Sequence, residues 1–167
     1  GRIVLIGDTL VHEWPEPEDL ADIAARGAAV ARNLGLEPRV AFLSFSNFGY
    51  PVSERAIKMA EAAKVLDRRG ADFEYEGEMT VDVALNMDAA ARYPFSRLTA
   101  PANVLVVPAR HSASISVKLM QEMAGATVIG PILTGVARPI QICSTNSTVS
   151  DILNMAAIAA GGVGAQG

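Results

Sequence analysis

Three short polar loops contain the residues whose types and spacing could support chemistry. Each loop follows an apolar run and precedes an amphipathic one; their sequences are SFSNFGYP (44–51), PARHSASISVK (108–118) and CSTNSTVSD (143–151). Open α/β sheets bind ligands beyond the carboxyl ends of their strands, where such loops lie. Three loops of one chemical type at this kind of edge predict a binding site more strongly than any one of them alone.

The first loop offers hydroxyl, amide and backbone hydrogen-bond donors. The residues that we take as candidate ligand-binding residues are Ser44, Ser46, Asn47 and Gly49. Gly49 also gives the backbone the freedom that a close approach to a ligand requires. Many strand-to-helix loops have a similar composition, so this loop by itself is weakly specific.

In the second loop we expect Ser112 or Ser114 to cap a helix, with Lys118 about one turn further in. A lysine this close to a helix start opposes the helix dipole. An anion beside the N-terminal amides would explain its position, and a solvated place on the outer face of the helix is the alternative. Ser114 and Lys118 are therefore candidate anion-binding residues.

The third loop ends with Thr148 and Asp151, which have the spacing of a capping box with the acid as the third residue of the helix. This structural role is common, so the spacing alone does not make Asp151 a catalytic acid. The helix that follows, residues 149–160, is apolar on nearly every side. Such a helix is expected to be covered by another domain or another subunit.

The elements that position these loops alternate along the chain. Short apolar runs separated by longer amphipathic ones indicate βαβ units, so we predict an α/β fold with a mostly parallel sheet and helices on both faces. The carboxylates of Glu74, Glu76 and Glu78 alternate and are expected on the solvent face of an edge strand. Residues 93–102 are predicted to form a linker. The predicted strands are 3–6, 40–44, 73–76, 103–107, 127–133 and 139–143, and the predicted helices are 17–34, 52–68, 80–91, 112–124 and 149–160.

Composition excludes several classes of function. Of the 167 residues 50% are hydrophobic and 19% are charged, and the net charge of −4 gives no general attraction to nucleic acid or to an anionic membrane. No apolar run approaches the roughly 18 residues of a membrane span.

The single cysteine, Cys143, excludes an internal disulfide and suits a reducing, cytoplasmic compartment. His12 and His111 are too far apart in the sequence to indicate a metal site. The chain opens on Gly1 and almost at once enters the predicted strand 3–6, which suggests a piece of a longer polypeptide.

The loops and their flanks resemble the phosphotransacetylase (phosphate acetyl/butyryltransferase) family over nearly the whole chain. LEPRVAFLSFSNFGYP, ANVLVVPARHSASISVKLMQEMAGATVIGPILTGVARPI and NSTVSDILNMAAIAA follow the family's order and spacing, and SNFG and NSTVSDILNM are more similar to the phosphotransacetylase-like C-terminal region of hybrid NADP-dependent malic enzymes. The resemblance implies an isocitrate/isopropylmalate-dehydrogenase-like lobe of a two-lobed fold. Residues 1–137 would form the second lobe, residues 138–160 a strand and helix that cross back to the absent first lobe, and residues 161–167 a flexible tail.

In active transferases of this family the last loop reads Ser-Arg-Gly-x-Ser-Val-x-Asp; its serine and aspartate assist deprotonation of the coenzyme A thiol, and its arginine holds phosphate. The resemblance places these catalytic positions on Ser144 and Asp151, but Thr145 and Asn146 occupy the arginine and glycine positions. Threonine lacks the charged, bidentate fork of arginine, and losing such a donor typically costs ~10²–10³ in rate. The family's anion-binding lysine matches Lys118, so the resemblance implies ligand binding without turnover.

The resemblance therefore implies a regulatory and oligomerisation domain of an NADP-dependent malic enzyme that binds acetyl-CoA as an allosteric inhibitor and lacks acetyltransferase activity. Acetyl-CoA or coenzyme A, an upstream malic-enzyme domain, the first lobe and a homo-oligomer are the implied partners. The chain itself would need no cofactor, because NADP and a divalent metal would bind upstream. Two alternatives stay open. One is an active phosphate acetyltransferase in which Arg110 or Arg138 replaces the missing arginine, and the other is an oligomerisation domain whose pocket no longer binds acetyl-CoA.

Overall fold

The computed structural model describes residues 2–8 and 10–161, and the chain divides into two compact units, residues 1–113 and 114–167. The elements alternate as predicted, and the α/β class is confirmed. The boundary between the units falls within α5. The strands are β1 (Leu5–Gly7), β2 (Arg39–Leu43), β3 (Glu74–Met79) and β4 (Val104–Val106), and the helices are α1 (Pro17–Asn33), α2 (Glu54–Arg69), α3 (Val81–Leu85), α4 (Met87–Ala90), α5 (Arg110–Ala124) and α6 (Val149–Gly161).

The first unit contains a four-stranded parallel sheet in the order β1-β4-β2-β3. All three residues of β4 are buried because helices cover both faces. Val104 and Val106 point toward α1 and α2, whereas Leu105 packs on the other face with α3 and with Ala113 of α5. The predicted parallel sheet with helices on both faces is therefore confirmed for this unit.

Helix α1 lies close to the sheet because its inner face is made of small residues. Glu16 and Asp19 form a capping box at its start, where the backbone N–H of Glu16 donates to the Asp19 carboxylate at 3.0 Å. A Cβ atom added to Gly27 would lie 2.7 Å from Cγ1 of Val104. The glycine thus allows the helix backbone to approach β4 more closely than an alanine would.

The predicted helix over residues 80–91 is divided into α3 and α4 at Asn86. The backbone of Asn86 is extended, with φ −125° and ψ 115°, and its side chain accepts a hydrogen bond from the backbone N–H of Asp88 at 2.9 Å. Asparagine favours such caps because its side chain competes for nearby backbone donors. One residue therefore ends α3 and begins α4.

The predicted strands at 127–133 and 139–143 are wrong, since neither segment forms a strand. Pro131 and Pro139 lack the backbone N–H that a ladder needs, and the described residues of the second unit provide no partner strand. Instead of a neighbouring strand, the side chain of Gln141 binds the backbone of Leu133. It accepts from the backbone N–H of Leu133 at 2.9 Å and donates to the Leu133 carbonyl at 3.2 Å.

Strand β3 is an edge strand as predicted, but the expected solvent face is wrong. Glu76 is only 7% exposed and Glu78 only 2%. The carboxylate of Glu76 accepts a hydrogen bond from the backbone N–H of Arg97 at 2.9 Å, and it lies 3.4 Å from the Arg97 guanidinium. Donors from neighbouring segments therefore replace water around these carboxyl groups.

Residues 93–102 were predicted to be a linker, but they pack within the first unit. Thr99 donates from its hydroxyl to the Glu74 carboxylate of β3 at 2.7 Å. The rings of Tyr93 and Phe95 lie 5.0 and 4.8 Å from the ring of Phe48, which belongs to the first polar loop. This segment therefore covers the sheet edge and supports that loop.

Helix α6 confirms the predicted helix at 149–160. Met155 is buried, whereas Val149, Ile152 and Leu153 are between 50% and 75% exposed, so several large apolar side chains of this helix are in contact with solvent. None of the helices in residues 2–8 and 10–161 is long and apolar enough to cross a membrane. The predicted tail, residues 161–167, lies outside the described residues except for Gly161, which ends the helix.

Candidate functional site

The polar loop between β2 and α2 is built on one buried carboxyl group. Oε1 of Glu78 accepts hydrogen bonds from the Ser46 hydroxyl at 2.9 Å and from the Gly49 backbone N–H at 2.6 Å. Ser46 is fully buried. Because the same oxygen binds the loop at two points, Glu78 determines the path of the chain between them.

Asn47 attaches the same loop to the end of β3. Its side-chain oxygen accepts from the Thr80 backbone N–H at 2.8 Å and from the Thr80 hydroxyl at 3.1 Å. Phe48 and Gly49 have φ of 50° and 95°, and their left-handed conformations close the turn. Nothing lies within 4 Å of a Cβ added to Gly49, so conformation and not space requires glycine there.

The outward surface of this loop is aromatic. The half-buried Ser44 has its hydroxyl 3.3 Å from that of Ser46, while Phe45 and Tyr50 are 63% and 83% exposed. The oxygens of Ser46 and Asn47 are engaged inside the protein. The ligand-binding role of the four candidate residues in this loop remains a prediction, and the contacts described give three of them, Ser46, Asn47 and Gly49, a part in holding the loop.

Helix α5 begins at Arg110, earlier than predicted, so neither Ser112 nor Ser114 caps it. The N–H of Arg110 donates to the carbonyl of His12 at 3.1 Å, so a neighbouring loop satisfies this helix start. Lys118 is the ninth residue of the helix, about 12 Å along the axis at 1.5 Å per residue. Lys118 is therefore too far from the helix start to interact with its N-terminal amides, and its side chain is exposed to solvent.

The loop after β1 was not among the predicted loops. The carboxylate of Asp8 accepts hydrogen bonds from the backbone N–H groups of Leu10 and Val11 at 2.9 Å, and it lies 2.6 Å from Nδ1 of His12. Burial alone would raise the pKa of Asp8, but these hydrogen bonds outweigh it and lower the pKa below the usual range. An aspartate directly after an apolar strand, followed four residues later by histidine, is the sequence signal for this turn.

The third loop is exposed from Cys143 to Asn146. The hydroxyl of Ser144 donates to the side-chain oxygen of Asn146, and the backbone N–H of Ser147 donates to the Ser144 carbonyl at 3.1 Å. Thr145 lies between these bonded residues with its side chain in solvent. The position that the resemblance matches to the arginine of active transferases therefore carries no charge here.

Thr148 and Asp151 form the predicted capping box at the start of α6. The backbone N–H of Thr148 donates to the Asp151 carboxylate at 2.8 Å, and the backbone N–H of Asp151 donates to the Thr148 hydroxyl at 3.2 Å. The Thr148 N–H and hydroxyl lower the pKa of Asp151 below its usual range. A carboxylate with a lowered pKa is a weaker base, so this geometry makes Asp151 a good cap and a poor proton acceptor.

The predicted site residues are distributed between the two units. Within the second unit, Ser144 bonds Asn146 and Asp151 bonds Thr148, but no hydrogen bond among the described residues joins Ser144 to Asp151. No group of three or more histidine, cysteine or acidic side chains in the described ranges could hold a metal ion. The first unit carries Ser44, Ser46, Asn47 and Gly49, and the second carries Ser114, Lys118, Ser144, Thr145, Asn146 and Asp151.

Residues 1–160 match the family described as phosphate acetyl/butaryl transferase. The chain therefore belongs to that family, and the resemblance predicted from the three loops is confirmed. The chain is 56% identical over 160 residues to an NADP-dependent malic enzyme of Rhizobium meliloti, covering 96% of this chain and 21% of that protein. It is 38% identical over 158 residues to a phosphate acetyltransferase of Clostridium acetobutylicum, covering 93% of this chain and 47% of that protein.

A solved structure has the same fold. The crystal structure of a phosphotransacetylase from Streptococcus pyogenes superposes with a TM-score of 0.90 at 30% identity, covering 96% of this chain and 49% of that one. The chain thus spans about a fifth of that malic enzyme and about half of each of these two transferases.

Proposed function

We propose that the chain is the regulatory and oligomerisation region of an NADP-dependent malic enzyme, where it binds acetyl-CoA as an allosteric inhibitor and does not transfer acetyl groups. The observation that carries this proposal is Thr145, an exposed uncharged residue at the position that the resemblance matches to the family's arginine. The 56% identity to a malic enzyme supports the malic-enzyme assignment. NADP and a divalent metal would belong to the upstream domain.

The chemistry of acetyl transfer explains why this loop would not turn over. The thiol sulfur of coenzyme A must lose its proton and attack the acetyl carbon, after which the carbon–oxygen bond to phosphate breaks. Negative charge develops on oxygen during the attack and leaves with phosphate, and a positioned cation is the group that stabilises it. Thr145 supplies only a hydroxyl, and the lowered pKa of Asp151 makes it a weak base for the thiol proton.

The exposed face of α6 supports the oligomerisation part of the proposal. Val149 and Leu153 are 75% and 64% exposed, and large apolar side chains in one region mark contact surfaces. The first lobe, the malic-enzyme domain and further copies of the protein are the proposed neighbours. A cytoplasmic location belongs to the same proposal, because the free thiol of the exposed Cys143 suits a reducing compartment.

The test measures malate-dependent NADPH formation by the full-length protein with and without saturating acetyl-CoA. Inhibition is expected, together with calorimetric binding of acetyl-CoA, while acetate at the same concentration serves as the control. Binding without inhibition, or neither effect, would overturn the regulatory role. If the calorimetric titration gives the same heats with acetyl-CoA as with buffer, the region does not bind acetyl-CoA, and only its role in oligomerisation would remain proposed.

The competing transferase activity is tested in the same preparation. Thioester formation from acetyl phosphate and coenzyme A is expected to stay at the level of the blank, beside an active phosphate acetyltransferase as positive control. Arg110 is a poor substitute for the missing arginine, because its guanidinium is paired with Glu13 at 3.3 Å. Steady thioester formation that Arg138→Gln abolishes would favour the transferase instead.

A further inference from the structure

The carboxyl end of β4 lies between two loops that lead to the same face of the sheet. β4 is flanked by β1 and β2. The helices that follow β1 and β2 pack together on one face, whereas Ala113, in the helix that follows β4, packs on the other. Neighbouring strands whose connections leave toward opposite faces open a crevice at the carboxyl edge, and open α/β sheets bind ligands there.

Two adjacent cavities of about 80 and 70 Å³ occupy this crevice within the first unit. Trp14, from the loop after β1, and Arg55, from the first turn of α2, line both cavities. Pro108, two residues beyond the end of β4, lines the first, and His111 lines the second. The cavities therefore lie where the strand connections diverge.

Trp14 and Arg55 contact each other at the surface of the crevice. Trp14 is 68% exposed, and the Arg55 guanidinium lies 4.7 Å from the centre of its ring. The neighbouring cations Lys58 and Arg110 each have a carboxylate partner within 3.3 Å. Within residues 2–8 and 10–161, no carboxylate lies at ion-pair distance from Arg55, so its charge is free for a ligand.

We propose that this crevice binds a nucleotide, with the base stacked on Trp14 and a phosphate bound by Arg55. Aromatic side chains stack on nucleobases without requiring a particular base, and a guanidinium binds phosphate bidentately. Coenzyme A carries an adenine ring and phosphates. Resting on the proposed function, the crevice therefore takes the nucleotide end of acetyl-CoA.

The lining favours a nucleotide over a simple phosphate ion. Glu54 lines the first cavity and Glu13 the second, and their carboxylates oppose the approach of an anion. Phosphate alone has only Arg55 to offset this repulsion, whereas a nucleotide adds the stacking of its base on Trp14. Adenosine has the ring but not the charge, so it also binds more weakly than the nucleotide.

The test uses the fluorescence of Trp14, which is the only tryptophan of the 167-residue chain. Titration with adenosine monophosphate is expected to change its emission saturably. Adenosine and inorganic phosphate are separate arms, each expected to bind about tenfold more weakly or worse. Equal affinity for phosphate and the nucleotide, or no saturable change with any probe, would overturn the proposal.

Two matched variants of α2 locate the binding. Arg55→Gln is expected to weaken adenosine monophosphate binding about tenfold. Arg69→Gln is the control, since Arg69 lies at the other end of the same helix and pairs with Asp22 at 2.6 Å. Both variants should retain the wild-type circular dichroism spectrum. Equal effects of the two substitutions would place the ligand elsewhere.

The same variants separate this inference from the proposed function. If Arg55→Gln binds acetyl-CoA as tightly as the wild type, the crevice inference is wrong and the regulatory role is untouched. If adenosine monophosphate binds as expected but acetyl-CoA leaves malate oxidation unchanged, the regulatory role is wrong and the crevice remains a nucleotide site.

Discussion

Glu78 accepts a hydrogen bond from the Ser46 hydroxyl at 2.9 Å, and both side chains are almost completely buried. The same carboxyl oxygen accepts from the Gly49 backbone N–H at 2.6 Å. A residue of the edge strand thus determines the shape of the loop after β2. The loop keeps that shape through polar groups that point inward, while Phe45 and Tyr50 face solvent.

Glu78→Ala is expected to lower the free energy of unfolding by about 1–3 kcal/mol, because it leaves the buried Ser46 hydroxyl and the Gly49 N–H without their acceptor. Glu78→Gln keeps an acceptor oxygen and should cost less. Urea unfolding measures both. The control is Glu37→Ala, at an exposed side chain, with an expected change within about 0.5 kcal/mol. Equal effects of Glu78→Ala and Glu37→Ala would contradict a role for Glu78 in holding the loop.

Gly27→Ala is expected to destabilise the protein by about 1–3 kcal/mol, because the new Cβ would lie 2.7 Å from Cγ1 of the buried, stiff side chain of Val104. Thermal unfolding measures the loss. Gly161→Ala is the matched control, since nothing lies within 4 Å of its added Cβ in another helix. In a Val104→Ala background, Gly27→Ala should cost much less. An undiminished cost there would show that close packing on Val104 is not the cause.

Sequence patterns predicted the parts of the molecule that local chemistry determines. The capping box of Thr148 and Asp151 and the buried run of β4 follow from short-range rules, and both are observed. The parallel sheet was also predicted correctly, but two predictions that depend on particular distant partners were wrong: the solvent face of β3 and the strands at 127–133 and 139–143. Glu78 looks like a solvent-facing residue until Ser46 and Gly49 fold over it.

The same distinction applies to the predicted strands and to the crevice. Residues 127–133 have the composition of a strand, but strand formation needs a partner that composition does not reveal. Trp14 and Arg55 are 41 positions apart in the chain, and only the order of the strands brings the loop after β1 close to the start of α2. No spacing rule connects them, so the sequence offered no signal for that crevice.

Thr148→Val is expected to raise the pKa of Asp151 toward its ordinary value of 3.8, but not all the way. The substitution removes the hydroxyl donor and keeps the backbone N–H, which is the larger cause of the lowering. Because the folded pKa is lowered, the carboxylate stabilises the helix start above pH 3.8, and that contribution is lost as the pH falls through the folded value. NMR titration of the side-chain carboxyl measures the pKa.

Asp8 provides the internal control for that titration. Its pKa is also below 3.8, but its donors lie in the loop after β1 and do not include Thr148. Its titration should therefore be the same in the wild type and in Thr148→Val. An unchanged pKa of Asp151, or a parallel shift of Asp8, would show that the capping hydroxyl does not stabilise the charged form.

Thr145→Arg combined with Asn146→Gly tests whether the loop lacks only its cation. In the full-length protein the double variant is expected to form thioester from acetyl phosphate and coenzyme A up to ~10²–10³ faster than the wild type, because an arginine would stabilise the developing charge. Asn146→Gly alone is the matched control and should stay at the blank. It releases the Ser144 hydroxyl from its present acceptor without adding charge.

Two other outcomes of this experiment would each lead to a different conclusion. If the double variant binds acetyl-CoA but forms no thioester, the absence of arginine is not the only reason for the lack of activity. The lowered pKa of Asp151 is the next candidate, because it makes this carboxylate a weaker base for the thiol proton. Thr148→Val should then raise the rate in the same background by raising that pKa. If the wild type itself forms thioester at the rate of the double variant, the loop never needed the arginine, and the proposal of a non-transferring regulatory region is wrong.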